Sequence, residues 1–195
     1  MSRKRKIQVH VVAALVVVVL IGWIVMLYAE ACQKEKGQDN HILTMYDAAL
    51  ATLSVPLNQF DEAVTPADQL SCLEVIADEL QHLSAYIDIS YGLIGTGDPT
   101  LYTEIETIAI LFMQGGTING YTIPSFSEDG AISKEEAAVI RLLKEETDTL
   151  RKDMTALDKD GVHYKYVLSL GEVYQRLTTI IENVQTRLIG ASQEK

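Results

Sequence analysis

Leu73-Glu74-Val75-Ile76-Ala77-Asp78-Glu79-Leu80-Gln81-His82-Leu83-Ser84-Ala85-Tyr86-Ile87 places Leu73, Ile76, Leu80, Leu83 and Ile87 three or four residues apart. At ~3.6 residues per turn, that spacing gathers the five on one side of a helix as a core-facing stripe. Just upstream, Thr65-Pro66 supplies a capping hydroxyl and a proline at the first helical position, where a missing N–H is harmless. Downstream, Gly92, Gly95 and Gly97 end the helix.

The same steps recur outward in both directions. A helix over about 40–62 carries Leu43, Tyr46, Leu50, Leu53, Leu57 and Phe60, and Pro56 inside it predicts a kink. Asp98-Pro99 repeats the Thr-Pro opening for a shorter helix with Leu101, Ile105, Ile108 and Phe112, stopped by Gly115-Gly116. Ser133 with Glu136 three positions later forms a capping box for the next helix. Its stripe is Val139, Leu143, Leu150, Met154 and Leu157, and Gly161 closes it. The last helix, about 163–189, turns Leu170, Val173, Leu177, Ile180, Val184 and Leu188 inward.

One segment breaks the helical pattern. Thr117-Ile118-Asn119-Gly120-Tyr121-Thr122-Ile123 sets Asn-Gly, a pair suited to positive φ, between β-favouring residues, and predicts a hairpin over about 116–124. Four long helices with one apolar stripe each predict a mainly α, antiparallel four-helix-bundle-like domain over 41–190, with the short helix and the hairpin as a crossover. A polar tail follows at 191–195.

Upstream of this domain, residues 7–29 hold no charge, and 11–28 are all apolar, Gly or interfacial aromatic. About 22 helical residues cover about 33 Å, enough for a hydrocarbon core of ~30 Å. Trp23 and Tyr28 fall near the outer end, where aromatic rings favour the head-group layer. Arg3, Lys4, Arg5 and Lys6 mark residues 1–6 as a cytoplasmic tip. The expectation is a single-pass cell-membrane protein with its C-terminal domain outside, joined through a polar tether at 30–40. Two rivals stay open. Ala29-Glu30-Ala31 has the small-x-small form of a signal-peptidase site, which would make this an exported protein with a cleaved signal peptide. Lipid attachment at Cys32 is the other, although no Leu stands three residues before it.

Charge is divided along the chain. Setting aside the four basic residues at the start leaves 12 Lys and Arg against 27 Asp and Glu. Such a surface repels phosphate and anionic head groups, which argues against a nucleic-acid partner and suits basic proteins, cations or plain solubility. Cys32 and Cys72 make no Cys-x-x-Cys pair, and a bridge between them stays open.

Chemistry-bearing motifs are sparse. Glu79-Leu80-Gln81-His82 has the Glu-x-x-His form of di-iron bundles, but at 100° per residue His82 lies about 130° from the core stripe, and no second copy exists. Residues 125–136 resemble part of a calcium loop, with Ser125, Ser127, Asp129 and Glu136 as candidate ligands and Gly130 at the turn. Ser125 stands where an Asp ligand belongs, and an Asp-Gly turn plus the Ser133–Glu136 cap explains the same letters. Asp158-Lys159-Asp160-Gly161 reads as a helix-to-helix turn. No nucleophile elbow, phosphate loop, His-Glu-x-x-His or dinucleotide fingerprint occurs, so neither enzymatic activity nor a cofactor is expected.

The expected function is a non-enzymatic interaction or scaffold module, bound to the membrane through residues 7–29 and docking another envelope or membrane protein. The hairpin offers Ile118, Tyr121 and Ile123 as partner-binding candidates, through strand addition at its edge. A homo-oligomer is compatible with this reading. The alternative is a small-ligand or calcium-binding bundle with a pocket near Pro56.

Overall fold

The computed structural model describes the backbone of residues 3–95, 98–128, 130–157 and 164–193; side chains before Trp23, and at several positions from 25 to 35, are outside that description. The chain divides into two units, Met1–His41 and Ile42–Lys195. In the first unit the backbone is helical from Arg3 onward, as part of α1 (Arg3–Glu62). The stretch expected to be a tether, 30–40, is helical too. Glu30, Ala31, Gln33, Lys34, Glu35 and Lys36 are strong helix formers, which offsets Gly37. Among the described residues no helix is long and apolar enough to cross a membrane. The transmembrane helix expected over 7–29 is therefore not supported by them. Much of that segment lies outside the described side chains, and from Trp23 onward the helix soon meets Glu30, Lys34, Glu35 and Lys36.

The second unit is mainly helical, with short antiparallel hairpins. After α1 come α2 (Pro66–Ile94), α3 (Leu101–Gln114), β1 (Gly116–Ile118), β2 (Tyr121–Ile123), α4 (Lys134–Met154), β3 (Thr155–Leu157), β4 (Tyr164–Tyr166) and α5 (Leu170–Gln193). The predicted caps form. Thr65 Oγ1 accepts the Asp68 N–H, and Gly95, in the left-handed region, ends α2 by donating its N–H to the Tyr91 carbonyl at 2.8 Å. Ser133 and Glu136 cap each other's backbone N–H at the start of α4. Asp98 departs from expectation: its carboxylate accepts the backbone N–H and hydroxyl of Thr100, and α3 starts two residues later than the Asp-Pro pair implies.

Successive helices run antiparallel. Tyr46 of α1 meets Ser90 of α2, and Ser84 of α2 donates to the Tyr102 carbonyl of α3. Along α1 and α4, Asp47 faces Arg151, Ser54 faces Asp148, and Asp61 faces Lys144 and Arg141. Asp153 of α4 pairs with Arg176 of α5, and Glu146 with Asn183. All five helices feed one core, which includes Tyr46, Leu53, Phe60, Ile76, Leu80, Ile87, Val139, Val184 and Leu188. α3 is more than a crossover: Leu101, Ile105, Ile108, Ala109, Leu111 and Phe112 are all buried, so the bundle has five members where four were expected.

The predicted hairpin is present, pairing Gly116 with Ile123 and Ile118 with Tyr121, with positive φ at Asn119 and Gly120. It seats against α5, and Phe126 stacks on Phe112 at 5.0 Å. A second hairpin was not anticipated. Thr155–Leu157 pairs with Tyr164–Tyr166 where α4 was expected to continue and α5 to begin. Its turn, 158–163, which contains the expected helix-to-helix turn, lies outside the described residues. α5 starts at Leu170 behind its own capping box, Ser169 with Glu172.

Candidate interaction surface

α2 has two apolar faces. Leu73, Ile76, Leu80, Leu83 and Ile87 are buried in the bundle. On the other side Val75, His82, Tyr86, Ile89 and Leu93 follow one another at steps of seven, four, three and four. At 100° per residue these five fall within an arc of about 60°, roughly 130° from the core stripe. They are open to solvent: Val75 is 45% exposed, Tyr86 39%, Ile89 52% and Leu93 60%. A soluble helix ordinarily turns charge outward here, and exposed apolar side chains in its place, interrupted by His82, mark a contact surface.

The flanks of the line are acidic. Asp78 and Glu79 lie beside it, and His82 Nδ1 sits 3.4 Å from Glu79 Oε2. Neither α2 nor α3 contains a Lys or Arg; indeed none occurs between Lys36 and Lys134. On α3 the Glu104 carboxyl is held above its ordinary range by burial and by the charges of Asp98 and Glu182. The outer face of α2 thus carries exposed apolar side chains with carboxylates next to them.

A second feature is an open cavity of about 700 Å³ between α1, α4 and the second hairpin. Thr44, Asp47, Asp148, Arg151, Lys152, Thr155, Tyr164, Lys165 and Tyr166 line it. Arg151 Nε lies 3.6 Å from Asp47 Oδ1, too long for a hydrogen bond, and is shielded from solvent without a hydrogen-bond partner among the described residues. Lys152 and Lys165 form no ion pair among the described residues, so the cavity mouth is the more basic part of an acidic domain.

The residues singled out from sequence are divided by the structure. Ile118 and Ile123 are buried, closing the core beneath the hairpin, whereas Tyr121 is 45% exposed. Glu136 is buried, and its carboxylate accepts the Ser133 N–H at 2.7 Å. Ser125 Oγ donates to the Met113 carbonyl and meets Ser127 Oγ at 2.8 Å. Asp129 lies outside the described residues. Among the described residues no group of three or more His, Cys, Asp or Glu is placed to hold a metal ion. His82 faces solvent, as its angular position requires. Cys72 is a free thiol whose pKa is raised by partial burial and by Asp68, while the Cys32 side chain lies outside the described residues. Sequence reasoning missed the outward line because α2 was read only for its core stripe. The second hairpin also had a signal, the β-favouring run Tyr164-Lys165-Tyr166-Val167.

Compared with known proteins, the chain matches no family model, no curated protein and no solved structure.

Proposed function

We propose that this chain is a non-enzymatic interaction module, anchored in the cell membrane by residues 7–29, whose extracytoplasmic helical domain docks another membrane or envelope protein. The apolar line Val75–Tyr86–Ile89 on the outer face of α2 carries this reading, because it is the surface a partner would cover at a gain of about 25 cal/mol per Å². The uncharged stretch 7–29 behind four basic residues supports the anchor, and the basic end sets the orientation.

Two measurements test it. The full-length chain should stay in the membrane pellet after alkaline carbonate washing, and recovery in the soluble fraction would dismiss the anchor. A photo-crosslinking residue at Tyr86 should give a discrete adduct with another membrane protein in intact cells, and one at Thr179, exposed on α5, should not. Equal labelling from both positions, or from neither, would dismiss α2 as the docking face.

A second reading rests on the cavity beside Arg151. Its three cations outnumber the two carboxylates, Asp47 and Asp148, and favour a small anionic ligand over calcium. Under this reading an anionic metabolite raises the melting temperature of the chain, and Lys152→Glu with Lys165→Glu abolishes the rise. A screen of anions without any shift would set it aside.

A further inference from the structure

The cavity between α1, α4 and the second hairpin also limits what its anion can be. We infer that it takes a sugar phosphate: a phosphate monoester met by Lys152 and Lys165, on a hydroxyl-bearing body met by Asp47 and Asp148. This rests on the anion-binding reading above and deepens it by naming the ligand class.

The lining starts from one face of α4. Asp148, Arg151 and Lys152 stand at i, i+3 and i+4, so they share one side of the helix, with Thr155 just past its end. Asp47 of α1 and Lys165 of β4 complete the charged groups.

The cations left over suit phosphate better than carboxylate. Arg151 Nε faces Asp47 Oδ1 at 3.6 Å, and Arg151 Nη1 donates to Ser54 Oγ at 3.4 Å. The guanidinium fork, which matches a planar carboxylate, is thus turned toward the protein's own groups. Lys152 and Lys165 form no ion pair among the described residues. An ammonium is a point charge that binds phosphate without fork geometry. Two of them match the charge of about −1.5 to −2 on a phosphate monoester at neutral pH.

The carboxylates select what the phosphate is attached to. At about 700 Å³ the open cavity is of small-ligand size, larger than inorganic phosphate needs. Carboxylates accept hydrogen bonds and do not donate, and each has about four lone-pair sites. Asp148 uses one of its sites on the Ser54 hydroxyl. Ligand hydroxyls are the donors that fit the remainder, while a second phosphate is repelled from that side. Tyr164, 74% exposed, adds a flat ring face at the mouth.

The test is isothermal titration calorimetry on the full-length chain in a neutral polyoxyethylene detergent, which carries no sugar, at fixed ionic strength. Four probes separate the chemistries: glucose 6-phosphate, glucuronate, inorganic phosphate and glucose. Glucose 6-phosphate should bind about tenfold or more tighter than glucuronate or phosphate, and glucose should give no heat. Lys152→Gln with Lys165→Gln should weaken glucose 6-phosphate about tenfold or more, and Lys134→Gln, outside the cavity on α4, should not. Asp148→Ala should bring glucose 6-phosphate and inorganic phosphate to within about threefold of each other. All four positions are exposed, so the melting temperature without ligand should stay unchanged.

Glucuronate binding as tightly as glucose 6-phosphate overturns the phosphate assignment, and inorganic phosphate binding as tightly overturns the sugar. Either result leaves an anion site in the cavity. Glucose 6-phosphate binding that survives loss of both lysines overturns the inference and the site together. If no probe binds while another anion raises the melting temperature through the two lysines, only the ligand class named here falls.

Discussion

Tyr46 shows how one side chain ties three helices. Its hydroxyl donates to Tyr174 Oη at 2.9 Å and meets Ser90 Oγ, which in turn donates to the Ile87 carbonyl at 2.9 Å. The rings of Tyr46 and Tyr174 meet edge to face, with centroids 5.8 Å apart. Burial holds the Tyr46 phenol well above its ordinary pKa, outweighing the opposing hydrogen bond with Ser90. Tyr46→Phe leaves Ser90 and Tyr174 bonded to each other, so the expected loss is about 1 kcal/mol in urea unfolding. A change under about 0.3 kcal/mol would mean that the hydroxyl contributes only shape. Because the neutral phenol is the form that folds, its contribution is present below the ordinary tyrosine pKa of ~10 and is lost above it. In an alkaline titration followed by ultraviolet absorbance, Tyr46 should ionise only as the fold is lost.

At the scale of an element, the first hairpin is joined to α3 by a turn that admits no side chain. Gly115 has φ +65°, and a Cβ there would meet the Ile123 carbonyl oxygen at 2.6 Å and the Ser125 amide nitrogen at 2.7 Å. Both neighbours are backbone, so relief requires moving the hairpin off the core it closes with Ile118 and Ile123. Gly115→Ala is expected to cost more than about 3 kcal/mol, enough to lower the melting temperature sharply. Gly120 also has positive φ but open space around it, so Gly120→Ala should cost only about 1 kcal/mol of strain. Comparable losses at the two positions would show that conformation, and not the close approach, sets the effect. The same segment explains why letters that resemble a calcium loop do other work: Glu136 is bonded to the backbone it caps, and Ser125 to the end of α3. Calcium should therefore leave the melting temperature unchanged, and a rise lost in Glu136→Gln would reverse that view.

At the scale of the molecule, the basic residues of the second unit begin only at Lys134, in α4, and clamp that helix to its neighbours. Asp61 is bonded to Lys144 at 2.6 Å and to Arg141 at 3.2 Å. Partial burial raises the Asp61 pKa, but the two cations outweigh it and the net shift is downward; Lys144 is shifted upward, chiefly by its bond to Asp61. The cluster therefore stabilises the fold above the ordinary Asp value of ~3.9, and that contribution fades as pH falls through the lowered pKa. On the alkaline side it is present below ~10.4 and fades as pH rises through the raised Lys144 pKa. All three side chains are partly exposed, so the contribution is about 0–1 kcal/mol. Urea unfolding of wild type against Lys144→Met should show that small advantage at neutral pH and none near pH 2. An advantage that grows on acidification would contradict the assignment.

What could be read without coordinates was whatever local chemistry decides. The stripe from Leu73 to Ile87, the caps at Thr65 and Ser133, and the Asn119-Gly120 turn are visible because each depends on neighbours a few residues away. The placement of α3 in the core was not, since a helix of 14 residues looks the same whether it bridges a bundle or joins it. Nor was the end of α4 at Met154, where pairing with Tyr164–Tyr166 overrides a helical pattern that runs on to Leu157. The α2 surface needed both sources. The spacing of Val75, Tyr86 and Ile89 is written in the chain, but only burial of the opposite face in the shared core leaves those side chains in water. Burial depends on which surfaces meet across the whole fold, and no window of sequence contains that information.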